Sequence, residues 1–483
     1  MEDKILPVRL SPFEEYLFLD QKSNFPMSEN MDWVFRGRVD HDLIEKALRK
    51  AAEKEPLFFA KVKKRCGKYY WTTDASAEIP SISWSRVDHD LLSDQEGIIP
   101  LHGIDIQNSP GIQISIIEGS GSFIIRTLFH HSVVDGMGAT IFMGNWIAIY
   151  QRLLNKEFDS DPLLTDPKAF LDRENLHIVP PEPIPFSAVL KTLTAEIFKW
   201  FWRRPISLIP LQKRRKKENL CSKDSIVRRD ENENQEETNR ASDGSLLPGQ
   251  YWKTFSAEFL SNYHKRAKEN GVSVNTLFLR DLYLTLHKWS QLTPREEKKS
   301  RRYFRVLVPM SLRKKEHAAL PLANILGYVF IDELPRSCDR STALLKKFND
   351  LMKFVLKWSS GAIFIEGARF FRRFPGLLSL MTSRFFCHSS IVFSNTGILC
   401  KCLQQEAFRK ENDIRIPDEL ELIRIIGSPP VRPNTPISIG LITHKNEFTL
   451  TLCADRNVFD QESLQEFYEM YRSEMENTLN EQI

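Results

Sequence analysis

A short apolar run, Phe123-Ile124-Ile125-Arg126-Thr127-Leu128-Phe129, passes without a break into His130-His131-Ser132-Val133-Val134-Asp135-Gly136, and this junction constrains the fold more than any other stretch. The run has the length and composition of an interior strand. Beyond it, Phe142, Trp146, Ile149, Tyr150 and Leu153 recur at helical spacing, which predicts a helix. Strand, polar turn and helix therefore follow one another, and the turn carries two imidazoles, a carboxylate and the turn glycine Gly136. Functional groups concentrate in such connections. An imidazole with an unperturbed pKa of about 6.5 accepts a proton at neutral pH, which makes His131 a candidate general base.

Other readings of the same residues are less consistent with their pattern. Paired histidines at a strand end can be satisfied polar groups, although Asp135-Gly136 adds more than that reading needs. His131 and Asp135 would give a metal two ligands, whereas zinc takes three or four, and the remaining histidines lie scattered without ligand spacing; no metal is expected. Gly136-Met137-Gly138 imitates the start of a dinucleotide fingerprint, but Ile141 stands where the third glycine allows close helix packing.

With 483 residues and 42% hydrophobic content, the chain can bury a large core and is long enough for two lobes. Its 67 basic and 63 acidic residues nearly balance, which gives no case for a nucleic-acid partner. Seven cysteines, an odd number without zinc or redox spacing, predict reduced thiols in a cytoplasmic protein. The first residues lack the pattern of a secretory signal, and no apolar run is long enough to span a bilayer. Between 211 and 250 the basic run Lys213 to Lys217 gives way to an acidic, polar stretch that cannot bury enough apolar surface to offset its ordering entropy. It predicts a mobile linker, with an N-terminal lobe over 1–210 that holds the histidine box and a C-terminal lobe over 251–483.

The chain as a whole resembles the superfamily of chloramphenicol acetyltransferase, nonribosomal-peptide condensation domains, plant BAHD acyltransferases and the alcohol acetyltransferase and wax-ester synthase branches. Landmarks fall in that family's order. Val34 to Asp40 and Leu43 to Leu48 look like its opening strand and first helix, and the H-H-x-x-x-D-G box follows. Val272 to Leu277, the strand Val306 to Arg313, the segment Asn324-Ile325-Leu326-Gly327-Tyr328, Ile391-Val392-Phe393-Ser394-Asn395-Thr396-Gly397 and a closing hairpin over 437–452 are similar to its later parts. The chain lacks a D-F-G-W-G box, and Ser394-Asn395 is not followed by proline and glycine, so the branch stays open between alcohol acetyltransferase and wax-ester synthase types.

The resemblance implies an α/β (α+β) fold of two similar lobes, each a mixed sheet with packed helices, and an active-site tunnel between them. It also implies an enzyme that moves an acyl group from an acyl thioester, acyl-CoA or a carrier-bound acyl group, to an alcohol or amine acceptor. No acyl-enzyme and no further cofactor are implied. In that family the second histidine of the box is the base, and His131 holds that position. His130 would be structural, Asp135 would pair with an arginine, for which Arg313 is the best placed, and Ser394 or Thr396 could supply an oxyanion donor.

Two alternatives accompany this reading. His130 and Asp135 also look like the H-x-x-x-x-D box of glycerolipid acyltransferases, with Glu366-Gly367-Ala368-Arg369 as the phosphate box, although the separation of the two is too long for that family. A binding protein that keeps the fold without turnover is the other. Ile197 to Arg204, followed by Lys213 to Lys217, and Phe370-Phe371-Arg372-Arg373-Phe374 mix aromatic and basic residues. They predict either peripheral membrane contact or aromatics packed in the interior with arginines facing water.

Overall fold

The computed structural model describes residues 6–53, 55–73, 79–155, 170–176, 203–210, 246–293, 302–314, 317, 320, 322–398, 420–445 and 447–481. The expected linker therefore lies outside the described residues up to 245, as do residues 197–202 of the first aromatic and basic segment.

From the first half come strands β1 (Val8–Arg9), β2 (Ser28–Arg36), β3 (Lys61–Arg65), β4 (Lys68–Thr72), β5 (Ser83–Arg86), β6 (Glu96–Pro100), β7 (Ile112–Glu118), β8 (Ser122–His130) and β9 (Arg204–Pro205). The second half adds β10 (Gly249–Phe255), β11 (Arg302–Ser311), β12 (Leu326–Glu333), β13 (Ile391–Ile398), β14 (Glu421–Gly427), β15 (Ile437–His444) and β16 (Glu447–Ala454). The helices are α1 (Pro12–Asp20), α2 (His41–Ala52), α3 (Gly136–Leu154), α4 (Ala257–Glu269), α5 (Val274–Leu292), α6 (Thr342–Lys357), α7 (Ala362–Phe371), α8 (Leu377–Met381) and α9 (Gln461–Asn480).

Two mixed α/β lobes result. One sheet runs β14-β2-β8-β7-β5, and α2 and α3 pack together beside it. The other runs β12-β11-β13-β15-β16-β10-β6, with α4, α6 and α9 packed around α5. Side chains at the helix starts supply the caps that free backbone amides need: Ser256, Ser273, Ser341 and Asp460 each accept from an amide in the first turn. At Ser11 a full capping box with Glu14 starts α1.

Strand pairing does not follow the division at 210 and 250. β6, from the first half, pairs with β10 in the second sheet, and β14, from the second half, pairs with β2 in the first. Each sheet thus carries a strand of the other half, which fixes how the lobes sit. The sheets meet closely where β14 passes β15: a Cβ added at Gly440 would lie 2.2 Å from the Gly427 carbonyl oxygen, so only glycine fits there. Arg432 adds a buried ion pair from the second half to Asp20 at the end of α1, at 2.8 Å.

Candidate active site

β8 runs between β2 and β7 and is buried on both faces, which is why its sequence is a continuous apolar run rather than an alternation. It ends at His130. Three residues of turn follow, and Asp135 caps α3 by accepting the Gly138 N–H at 2.7 Å. Gly136 is the first residue of that helix and not a left-handed turn residue. Residues 130 to 135 are all buried, so the polar groups must find partners inside the protein.

Those partners distinguish the two histidines. His130 accepts the Ser132 N–H on Nδ1 at 3.1 Å, so the neutral ring carries its hydrogen on Nε2 and donates it to the Gln21 side-chain oxygen. Both nitrogens are engaged, and burial pushes this imidazole down to about 3. His131 is arranged the other way. Its Nδ1 faces the Val134 carbonyl at 3.2 Å, and a carbonyl only accepts, so Nδ1 carries the hydrogen. Nε2 then holds a lone pair, and it has no hydrogen-bond partner among the described residues. Burial lowers the His131 pKa below its ordinary 6.5 despite the nearby Asp135 carboxylate, which keeps the ring neutral at pH 7.

The turn is held largely from the second half of the chain. Asp135 Oδ1 accepts from Arg313 Nε at 3.2 Å, Oδ2 accepts the Ile325 N–H at 2.7 Å, and the Asp135 N–H donates to the Ala323 carbonyl at 3.3 Å. Arg313 also donates to the carbonyls of Leu320 and Ala323, at 2.9 and 2.6 Å. Its side chain is 7% exposed and that of Asp135 3%, so Arg313 is not a solvated strand-end cation. Asn324 donates its side-chain amide to the His131 carbonyl, while the His131 N–H donates to Met27 on the approach to β2 at 2.6 Å. The box therefore sits at the contact between the halves.

The two expected oxyanion donors differ. Thr396 spends its one hydroxyl hydrogen on the Leu441 carbonyl at 3.1 Å. Ser394 is half-buried on β13, opposite Gly440 of β15. Glu366 and Arg369 pair with each other at 3.4 Å along α7, and Arg369 reaches Glu174 and Asn175, an arrangement of a helix surface and not of a phosphate box.

Glu29 is the residue that sequence reasoning missed. It lies in β2 opposite Phe129, is 9% exposed, and its Oε1 would be 3.6 Å from a Cβ on Gly136. Among the described residues, Asp135, Tyr328 and Cys453 are ionisable groups that interact with it. Burial, reinforced by the Asp135 carboxylate, pushes its carboxyl up to about 8. Tyr328 is likewise raised and Cys453 is pushed up to about 12, so neither titrates in the same window. The folded protein keeps the Glu29 proton up to about pH 8, whereas the unfolded chain loses it near 4.5. This contribution to stability is complete below pH 4.5 and is lost as pH rises through 8. Glu29→Gln should remove that loss, so its stability relative to the parent rises with pH by at most about 1.4 kcal/mol per unit over the window. Chemical denaturation from pH 5 to 9 measures it, and a pH-independent difference would mean that Glu29 is ionised in the fold.

Neither a protein-family model nor a curated protein matches this sequence. Solved structures do. The chain is similar to the first condensation domain of the calcium-dependent antibiotic synthetase in complex with a substrate analogue, with a TM-score of 0.68 at 12% identity over 99% of this chain and 97% of that one. The starter condensation domain of rhizomide synthetase, a double mutant in complex with C8-CoA and Leu-SNAC, matches with a TM-score of 0.62 at 10% identity over 98% and 94%. The epimerization domain from the third module of tyrocidine synthetase B matches with 0.61 at 11% over 98% and 97%. The chain has the condensation-domain fold over nearly its whole length, as the resemblance in its sequence implied; the alcohol acetyltransferase or wax-ester synthase branch is not singled out by these matches.

Proposed function

We propose that this protein is an acyltransferase that carries an acyl group from an acyl thioester, acyl-CoA in the simplest case, to a hydroxyl or amine acceptor. His131 is its general base. The observation that carries the reading is the Nε2 of a buried, neutral His131, unpartnered among the described residues, while its Nδ1–H is fixed on Val134. Nε2 takes the proton of the acceptor O–H or N–H as the acceptor attacks the thioester carbonyl. A tetrahedral oxyanion forms, and its collapse expels the thiolate, which recovers the proton from Nε2 and leaves as the thiol. No bond to the protein forms at any step. Ser394 is the side chain we assign to the oxyanion, because Thr396 is committed to Leu441. Glu29, protonated at neutral pH, offers a second hydrogen-bonding group beside Asp135 for a polar acceptor. A C8-CoA ligand on a neighbour with the same fold supports the thioester class of donor.

Release of free thiol from a panel of acyl-CoAs with alcohols and amines tests the proposal. Turnover with any pair, lost in His131→Ala, supports it. Tight binding of acyl-CoA with no turnover against any acceptor would make the chain a binding protein on this fold.

A further inference from the structure

The segment from α7 to the start of β13 carries a surface that the site does not use. Phe370, Phe374, Leu380, Phe385 and Phe386 are five of the eleven exposed large hydrophobic residues among those described, and Phe385 is 82% exposed. Single exposed apolar side chains are ordinary, but five in one short segment are not. From Gly367 to Ile398 the chain holds Arg369, Arg372, Arg373 and Arg384 and no acidic residue. Arg373 and Arg384 are exposed, and the Arg384 guanidinium lies over the Phe385 ring at 5.6 Å.

The segment is fastened from beneath. Leu378 and Thr382 are buried, and His388 donates from Nε2 to the Met381 carbonyl at 2.8 Å and accepts the Tyr16 hydroxyl on Nδ1 at 3.3 Å. Asn434 donates to the Arg384 carbonyl at 2.8 Å, and Arg372, far from facing water, is buried against Glu174 at 2.8 Å and Glu15 at 3.7 Å. With its inner side satisfied, the segment presents its phenylalanines outward by construction. It lies next to the site's own layer: Tyr16, under His388, has its ring 6.3 Å from that of Tyr328, the phenol near Glu29.

We infer that this segment, through the exposed Phe370, Phe374, Leu380, Phe385 and Phe386 with Arg373 and Arg384, docks on an anionic lipid bilayer. Exposed aromatic side chains suit the acyl boundary of a leaflet, and the exposed Arg373 and Arg384, unlike Arg369 and Arg372, which pair with Glu366 and Glu174, complement phosphatidylserine-type headgroups. Docking would place the enzyme beside an acyl source held in the membrane, yet it stands whether or not the acyl-transfer reading does.

The test uses the full chain with phosphatidylcholine vesicles, with and without phosphatidylserine, in co-sedimentation at low and high salt. The parent protein should sediment with the anionic vesicles, and more weakly in high salt. Phe385→Ser with Phe386→Ser should weaken binding at least about tenfold, since two apolar rings no longer insert. Arg373→Gln with Arg384→Gln should flatten the salt dependence. Melting temperature and turnover of a water-soluble acyl-CoA should stay at the parent's values in all of these variants, which separates this surface from the site. No binding of the parent at low salt overturns the inference. Undiminished binding by the phenylalanine pair overturns it too, since the contact would lie elsewhere. So does self-association that these substitutions abolish without any vesicle binding, because the face would then join two copies.

Discussion

Replacing His131 with alanine should lower the rate of thiol release by about 10²–10⁴-fold, the usual contribution of a general base, while the far-ultraviolet circular dichroism stays that of the parent. The reason lies in how little the side chain does for the fold. Its one described hydrogen bond is Nδ1–H to the Val134 carbonyl, and the contacts that hold the turn, Met27 to the His131 N–H and Asn324 to its carbonyl, belong to the backbone. Loss of one side-chain bond costs about 1 kcal/mol, which leaves a folded domain. His130→Ala separates the roles. That ring ties Ser132 to Gln21 through both nitrogens, so its loss should lower the melting temperature more than His131→Ala does and the intrinsic rate less. If His131→Ala kept more than a tenth of the parent turnover, Nε2 would not be the base.

Much of this site could be read locally. The continuous apolar run leading into the two histidines is β8, the aspartate is the cap of α3, and the helical spacing from Phe142 to Leu153 lies in that helix, which is buried on nearly all sides. These relations span a few residues, where spacing and burial are directly coupled. The pair of Asp135 with Arg313 spans 178 residues, and only the likeness to a family suggested it. Glu29 was not legible at all. Ser28–Arg36 contains Asn30 and Asp32 as well, and nothing local distinguishes the carboxyl that lies beside the active turn from Asp32, which pairs with Arg126 at 2.7 Å. That difference appears only when β2 is set against β8 in register. The exchange of β6 and β14 between sheets was hidden for the same reason, because a strand's sequence states that it is half-buried but not against what. In Phe370 to Phe374 the sequence showed aromatic and basic residues without their directions. Helix α7 and the turn after it bury Arg372 and expose Phe370 and Phe374, which neither simple expectation describes.

Asp135→Ala should destabilise the protein by about 3–5 kcal/mol, the usual cost of breaking a buried ion pair from one side. The carboxylate receives three donors: the Gly138 amide that caps α3, Arg313 Nε, and the Ile325 amide from the other half. Alanine leaves a buried guanidinium without this counter-charge and two amides without their acceptor. Asp135→Asn keeps an acceptor for one amide but turns a donor toward the other or toward Arg313, so it should recover only part of the loss. Arg313→Ala removes the cation and its bonds to the Leu320 and Ala323 carbonyls, and should cost a comparable amount. The double substitution discriminates. If the two groups act as a pair, the combined loss falls short of the sum by more than about 1 kcal/mol, whereas losses that add within about 0.5 kcal/mol would show that each stabilises the fold separately. Activity should fall with either substitution at temperatures where both variants remain folded, because Asp135 and Arg313 fix residues 323 to 325, and Asn324 among them holds the His131 carbonyl. A folded Arg313→Ala protein with the parent rate would mean that this bracing does not reach Nε2.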